Sequence, residues 1–247
     1  MQRTITPEIM DQPDVAREDL AESLRFIRWV NRNLGGHASL LGHLKRWSRK
    51  WPRDRTITLL DIATGSADLP IAAQRWAQRA GFDLRITAID AHETTLDLAR
   101  RHVAEELGSD DPGHSGIELI QADALKLTDR FDVDAFDYVH AGLFLHHLQE
   151  IEIFTMLRMM DRLARAGIIW NDLIRSRIAL VGIHLLTLGQ PEIVKHDARV
   201  SVRAGFTRRE VKEIRKRLGL EYCRYRANFL TQRFTLAGEN QGSWVLV

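Results

Sequence analysis

Short apolar runs alternate with amphipathic stretches through the middle of the chain. Five of these runs, at residues 57–61, 84–90, 117–121, 136–140 and 167–171, have the length of strands. Between them, apolar positions recur at helical spacing over residues 69–80, 94–107 and 151–163. Strands that alternate with helices of this length predict βαβ units and a parallel sheet.

The segments on either side of this alternation have different patterns. Apolar residues recur at helical spacing from Leu20 to Leu34 and from Leu40 to Trp47, which predicts an N-terminal helical addition over residues 1–54. The main domain is then expected over residues 55–247. Within it, residues 173–206 interrupt the alternation and are the expected lid over a binding site. The apolar segment 178–188 would form the inner face of that lid.

The C-terminal part predicts one more helix and two more strands. Thr207 and Glu210 have the spacing of a capping box, and Gly219 suits the position after the helix. Residues 221–226 and 231–237 then predict two strands joined by a short link. The predicted fold class is α/β: a doubly wound, seven-stranded sheet that is mostly parallel and ends in an antiparallel C-terminal hairpin.

Composition and charge argue against several classes of protein. The net charge of +2 is too small to indicate nucleic acid as a partner. The one cysteine, Cys223, cannot form an internal disulfide and is expected to be a buried apolar residue. The N-terminus has no apolar signal region, and the longest apolar stretch, residues 178–188, is shorter than the ~20 residues of a membrane span. These features favour a cytoplasmic protein with no membrane span.

The turn after the first predicted strand is the main candidate for ligand binding. It runs from Asp61 to Asp68 and is built mostly of small residues, so a ligand can approach the backbone and the free N–H groups of the next helix. In open α/β sheets the ligand lies at the carboxyl ends of the strands. Asp90 and residues 121–124 would point into the same crevice.

The acidic residues narrow the choice of ligand. A dinucleotide site needs G-x-G-x-x-G, but Ala63, Gly65 and Asp68 occupy those positions, and the carboxylate of Asp68 would repel a pyrophosphate. A P-loop is absent as well. A nucleoside fits better, because Asp90 can accept hydrogen bonds from both ribose hydroxyls and Asp123 can accept one from the amine of adenine.

Four segments in order carry a resemblance to a known family. LLDIATGSADLP, ITAIDAHETTLDLAR, IELIQADAL and FDYVHAGLFLHHL resemble the motifs of class I S-adenosylmethionine-dependent methyltransferases, and most of all the group that acts in ubiquinone and menaquinone biosynthesis. The resemblance covers roughly residues 55–175. It implies a Rossmann-like sheet of seven strands with the last strand antiparallel, and S-adenosylmethionine as cofactor.

By the same resemblance, the cofactor-binding residues fall in four groups: the turn, the ribose-binding acid, the adenine side and the methionine end. They are Asp61, Ala63, Thr64, Gly65, Ser66 and Asp68; Asp90 and Ala91; Asp123 and Ala124; and His140 and Ala141, which begin a segment up to Leu143 that would line the methionine end. The family usually has glycine where Ala63 and Ala67 stand; alanine is tolerable at these positions if φ stays negative, although it narrows the space available.

The catalytic candidates are His146 and His147, which follow the fourth predicted strand. An imidazole there would lie near the cofactor's methyl group, and its pKa suits a general base at neutral pH. Alternatively, His147 only orients the loop. His184 and His196 lie in the predicted lid, and His184 is expected to be a packed helix residue. Trp29, Trp47 and Trp51 are either core contacts or part of the pocket wall.

The predicted function is methyl transfer from S-adenosylmethionine to oxygen or carbon of a small apolar or aromatic metabolite, by a monomer or homodimer without a metal ion. Two alternatives are a nicotinamide-dependent reductase and a non-catalytic member of the fold. A nucleic-acid methyltransferase is disfavoured, because HAGLFLHHL lacks the (Asp/Asn)-Pro-Pro-aromatic motif that such enzymes typically carry after the fourth strand.

Overall fold

A computed structural model describes residues 1–12 and 14–240. Seven strands form one sheet in the order β3-β2-β1-β4-β5-β7-β6. They are β1 (Ile57–Ile62), β2 (Leu84–Asp90), β3 (Ile117–Gln121), β4 (Phe136–Gly142), β5 (Ala164–Leu173), β6 (Arg224–Asn228) and β7 (Arg233–Glu239). Strands β1 to β5 pair in parallel, and β7 runs antiparallel to both β5 and β6. The predicted fold class is therefore confirmed.

Helices cover both faces of the sheet. They are α1 (Arg17–Asn33), α2 (Gly36–Trp47), α3 (Asp68–Ala80), α4 (Glu93–Leu107), α5 (Pro112–Ser115), α6 (Glu150–Leu163), α7 (Arg177–Leu186), α8 (Glu192–Ala204) and α9 (Arg208–Arg217). Helices α2, α3 and α4 contribute to the core on one face, and α6 and α9 to the core on the other. This is the doubly wound arrangement that alternating strands and helices predict.

Helix α2 belongs to the main core. Trp47 stacks on Tyr138 of β4 with ring centroids 5.0 Å apart, and the indole N–H of Trp51 donates to the Tyr138 hydroxyl at 2.7 Å. Both tryptophans are buried, whereas Trp29 on α1 is half exposed. Trp47 and Trp51 are thus core contacts, because the sheet needs an apolar cover on this face.

Some predicted strand ends differ from the structure. Strand β4 continues two residues past His140, and β5 extends at both ends. Strand β6 begins later than predicted, because residues 220–223 form a turn after α9 in which the Cys223 N–H donates to the Leu220 carbonyl. Strand β7 begins two residues later than predicted. Cys223 is fully buried as expected, and burial raises the pKa of its thiol to about 12.

The predicted lid folds into α7 and α8. The prediction that residues 178–188 face inward is wrong for most of that segment. Ile178, Val181, Leu185 and Leu188 are each more than 60% exposed. Ile183 alone of this segment lines the cavity described below. Among residues 1–12 and 14–240, no helix is both long and apolar enough to cross a membrane.

The capping box predicted at α9 is present and generates a test. The Glu210 N–H donates to the Thr207 hydroxyl at 3.3 Å, and the Thr207 N–H donates to the Glu210 carboxylate at 2.8 Å. We expect Thr207→Ala to lower the free energy of unfolding by about 1 kcal/mol, as measured by urea denaturation. Thr155→Ala, in the exposed interior of α6, is the control and should leave stability unchanged or slightly higher. Equal losses in both variants would contradict the capping role.

Candidate functional site

A cavity of about 470 Å³ lies at the carboxyl ends of β1, β2, β3 and β4. The turn after β1 lies at one side of the cavity. Apolar side chains of α1 form part of the wall, and α8 contributes a further part: Leu24, Phe26, Ile27 and Val30 from α1, and Val194, Ala198 and Val202 from α8. The position agrees with the rule that open α/β sheets bind ligands where the strand order reverses, here between β1 and β4.

Most of the predicted cofactor-binding residues line this cavity. They are Asp61, Ala63, Thr64, Gly65, Ser66, Asp68, Asp90, Ala91, Asp123 and Ala124. The two others, His140 and Ala141, do not line it, because β4 is longer than predicted and both residues are fully buried within the strand. The other two residues of the expected segment, Gly142 and Leu143, do line the cavity.

The carboxylate of Asp61 links β1 to β4. Its Oδ1 lies 2.5 Å from Nδ1 of His140, and its Oδ2 accepts a hydrogen bond from the Thr64 hydroxyl at 2.7 Å. Asp61 and His140 are also directly opposite each other in the parallel register of the two strands. Asp61 thus fixes the position of the turn relative to β4. His140 does not line the cavity and affects the site through its contact with Asp61.

Both alanines in the turn adopt the left-handed conformation. Ala63 has φ = 54° and Ala67 has φ = 56°, so neither meets the condition of negative φ under which alanine replaces glycine without strain. The backbone curvature that the family obtains with glycine is retained, although it is costly for a residue with a Cβ atom. Gly65 lies between them with φ = 55°.

Asp90 and Asp123, the acids expected to bind a nucleoside, both line the cavity. The Asp90 carboxylate accepts hydrogen bonds from the N–H of Gly65 at 3.0 Å and from the N–H of His92 at 3.1 Å. Burial nevertheless raises the pKa of Asp90 above its usual range. Asp123 accepts from the N–H of Leu125 at 2.9 Å and remains half exposed at the cavity. It therefore caps a turn as well as lining the site.

Asp68 is held by side chains from outside the turn. His37 Nε2 lies 3.3 Å from one carboxylate oxygen, and the Asn31 amide donates to the other at 3.4 Å. The Asn31 carbonyl in turn accepts from the buried guanidinium of Arg233 at 2.9 Å. Burial lowers the pKa of Arg233 to about 10, against the opposing effect of the Asp172 and Asp68 carboxylates.

The cavity lining is strongly acidic. Seven carboxylic acids line it, namely Glu8, Asp11, Asp61, Asp68, Asp90, Asp123 and Asp197, and among the described residues no lysine or arginine does. A site of this charge repels phosphates and attracts cations, because Coulomb interactions strengthen where water is scarce.

The candidate catalytic histidines lie in this cavity. His146 is 3% exposed, and its Nδ1 lies 2.7 Å from Oδ1 of the buried Asp172. Burial alone would lower the pKa of His146, but the Asp172 and Glu8 carboxylates raise it to about 10. In return, His146 keeps the pKa of Asp172 below its usual range despite burial.

His147 is more accessible and has a carboxylate partner of its own. Its ring is 26% exposed, and its Nδ1 lies 3.1 Å from Oδ2 of Asp11. The two imidazole rings are 4.2 Å apart between centroids. The carboxylate of Glu8 lies beside both rings and also accepts a hydrogen bond from the Ser201 hydroxyl.

Sequence reasoning missed Glu8 and Asp11, because the N-terminal segment shows no pattern that connects it to the cavity. The structure shows what holds that segment in place. The N–H groups of Ile9 and Met10 donate to the Asp197 carboxylate of α8 at 2.7 and 3.0 Å, and Arg3 donates to the carbonyls of His146 and Leu148. The segment that contains Glu8, Met10 and Asp11 therefore forms part of the cavity wall.

The two histidines of the predicted lid, His184 and His196, do not line the cavity. Nδ1 of His184 lies 2.6 Å from the Leu180 carbonyl within α7, and the residue is half-buried. His196 Nδ1 lies 3.0 Å from the adjacent Asp197 carboxylate. From α8, the neighbours Asp197 and Ala198 face the cavity instead.

Comparison with known proteins identifies the fold. Residues 59–167 match a family model described as a methyltransferase domain. No curated protein sequence matches the chain. The match does not extend to the ubiquinone and menaquinone subgroup, which stays a prediction.

Several solved structures are similar to this one. A plantazolicin methyltransferase, BamL, in complex with a triazolic desmethyl analogue and SAH has a TM-score of 0.61 and 14% identity, over 91% of this chain and 98% of that chain. The magnesium protoporphyrin IX methyltransferase of Synechocystis PCC 6803 with bound SAH has a TM-score of 0.57 and 16% identity, over 84% and 83%. A SAM-dependent methyltransferase of Aquifex aeolicus has a TM-score of 0.52 and 16% identity, over 79% and 88%. At these identities the likeness shows the fold.

The left-handed conformation of Ala63 can be tested by substitution. Ala63→Gly relieves the steric cost of a Cβ atom at positive φ, which offsets the greater flexibility that glycine gives the unfolded chain. We expect its melting temperature to equal or exceed that of the parent. Ala72→Gly, in the interior of α3, should lower stability by about 1 kcal/mol. Equal destabilisation by the two changes would contradict the conformation of the turn.

Proposed function

We propose that this chain, a class I S-adenosylmethionine-dependent methyltransferase, transfers the methyl group to an oxygen or carbon atom of a small apolar or aromatic metabolite. The observation that carries the proposal is the charge of the cavity, which seven acids line without a described lysine or arginine. S-adenosylmethionine suits this charge because its sulfonium and ammonium together outweigh its one carboxylate, and it carries no phosphate. The pyrophosphate of a nicotinamide cofactor would face Asp68 and Asp90, which disfavours the reductase.

The turn and the two neighbouring strand ends are proposed to bind the cofactor. Asp90 would accept hydrogen bonds from the ribose hydroxyls, and Asp123 from the adenine amine. The left-handed turn around Gly65 keeps side chains away from the backbone, so the cofactor can approach it closely. Asp68, fixed by Asn31 and His37, would face the ammonium end.

The acceptor is proposed to bind between α1, α8 and the N-terminal segment. The apolar side chains of Phe26, Ile27 and Val194 would contact its ring or hydrocarbon part. We propose that residues 173–206 act as a lid through α8, since α7 exposes most of its apolar face to solvent. His146 and His147 lie in the same cavity and are proposed to activate the acceptor.

The proposed reaction is an in-line displacement. An electron pair of the acceptor oxygen or carbon forms a bond to the methyl carbon, while the bond from that carbon to sulfur breaks and leaves its electrons on sulfur. The products are the methylated acceptor and the neutral thioether SAH, and the acceptor's proton is lost to a base or to water. Alignment of the two reactants and exclusion of water supply most of the rate in such a reaction.

Cofactor binding can be tested with one variant and a matched control. We expect isothermal titration to show binding of S-adenosylmethionine and SAH, and about ten- to hundredfold weaker binding by Asp90→Asn, because the amide loses charge-assisted hydrogen bonds to the ribose. Asp83→Asn makes the same change just before the start of β2, in an exposed position, and should bind normally. Binding of NADH in place of S-adenosylmethionine, or equal affinities for the two variants, would overturn the proposal.

Methyl transfer itself requires a second measurement. We expect a panel of phenols, quinols and other small apolar acceptors, incubated with the protein and S-adenosylmethionine, to yield a product heavier by one methylene unit in mass spectrometry. If the protein binds S-adenosylmethionine but methylates none of these acceptors, it is better explained as a non-catalytic member of the fold.

A further inference from the structure

We infer that Glu8, His146 and His147 form a binding site for a divalent transition-metal ion at the acceptor end of the cavity. This inference deepens the proposed function, and rests on it for the ion's role in activating the acceptor. The three side chains offer one carboxylate oxygen and two imidazole nitrogens, and these donor atoms all lie within 4.8 Å of one another.

The distances suit a shared ion better than direct hydrogen bonds. Glu8 Oε1 lies 3.6 Å from Nε2 of His146 and 3.8 Å from Nε2 of His147. Both separations exceed the usual length of a hydrogen bond, about 2.7–3.2 Å. In a tetrahedral zinc site, metal–ligand distances of about 2.0–2.2 Å leave neighbouring ligand atoms roughly 3.4 Å apart. The two separations from Glu8 exceed that value by only a few tenths of an ångström.

The buried nitrogen of His146 points to a ligand independently of the cluster. His146 Nε2 is inaccessible to solvent and has no hydrogen-bond partner among the described residues. A buried polar atom without a partner is costly, so it generally indicates a water, an ion or another group. All three side chains line the cavity, so an ion bound there would keep an open position for an acceptor atom.

Each histidine is oriented by a carboxylate on its other nitrogen. Nδ1 of His146 lies 2.7 Å from Asp172, and Nδ1 of His147 lies 3.1 Å from Asp11. Metal-ligating histidines almost always donate their second N–H to a carboxylate, a carbonyl or water, which fixes the ring and leaves the other nitrogen for the metal. Side chains of adjacent residues ordinarily diverge, yet here both Nε2 atoms are directed to the same carboxylate.

The ligand set indicates the class of ion. Two imidazoles and one carboxylate suit Zn²⁺, Fe²⁺ or Co²⁺, whereas Mg²⁺ prefers oxygen ligands and its own water. The acidic lining adds a favourable field for a dication. An acceptor with an oxygen donor, such as a phenol or an enol, would reach the open position, and coordination would favour loss of its proton to water.

The test uses the full-length, tag-free protein after dialysis against a chelator. We expect isothermal titration with Zn²⁺ to show one equivalent bound, Co²⁺ to develop visible d–d absorption, and Mg²⁺ to give no binding at the same concentrations. Glu8→Gln, which preserves the shape of the side chain and its acceptor for Ser201, and His147→Ala should each weaken Zn²⁺ binding by about tenfold or more. His114→Ala, which removes an exposed histidine on α5, should bind as the parent does.

Unchanged Zn²⁺ affinity in Glu8→Gln and His147→Ala, both checked by circular dichroism for a native fold, would overturn the inference. So would the absence of a stoichiometric site in the parent protein. Titration of S-adenosylmethionine into the same preparations separates the two proposals. Cofactor binding without zinc binding removes only the metal site, whereas zinc binding without cofactor binding removes the proposed function.

Discussion

The hydrogen bond between Asp61 and His140 joins the two strands on which the cavity depends. The strand order reverses between β1 and β4, so the connections that follow these two strands run to opposite faces of the sheet. This leaves a crevice between the ends of β1 and β4. Asp61 spans the start of that crevice. It binds His140 on β4 with one oxygen and Thr64 in the turn with the other, so the position of the turn is coupled to the register of the sheet.

Around this bond, the site combines elements from distant parts of the chain. The turn and β2 supply the face proposed for the cofactor, while α1, α8 and the first twelve residues close the opposite side. The N-terminal segment depends on buried polar contacts, chiefly the Asp197 carboxylate that accepts from two successive backbone N–H groups. Since burial raises the pKa of Asp197, its charge is costly where it stands, and these hydrogen bonds offset part of that cost.

Much of the fold could be predicted from the sequence, because parallel strands and the helices that cover them have strong and regular hydrophobic patterns. Strands β2 and β3 have the predicted bounds, and the capping box of α9 forms as its spacing requires. The conformation of Ala63 and Ala67 could not be predicted, since neither residue favours positive φ on its own. It is imposed by the contacts of the turn with β1 and β2.

The site was only partly predictable for a similar reason. Asp90 and Asp123 follow strands and could be placed by topology alone. Glu8 and Asp11 precede any regular element of the main domain, and only the folded chain brings them to His146 and His147. The exposure of the apolar face of α7 could not be predicted either, because a highly apolar segment normally predicts burial.

A crystal structure of the protein with SAH tests the proposed cofactor site most directly. We expect electron density for the ribose at Asp90, for adenine beside Asp123, and for the sulfur in the part of the cavity that leads to His146 and His147. Density for the ligand outside this cavity, or in it with the adenine at the histidines, would show that the cofactor site is wrongly placed.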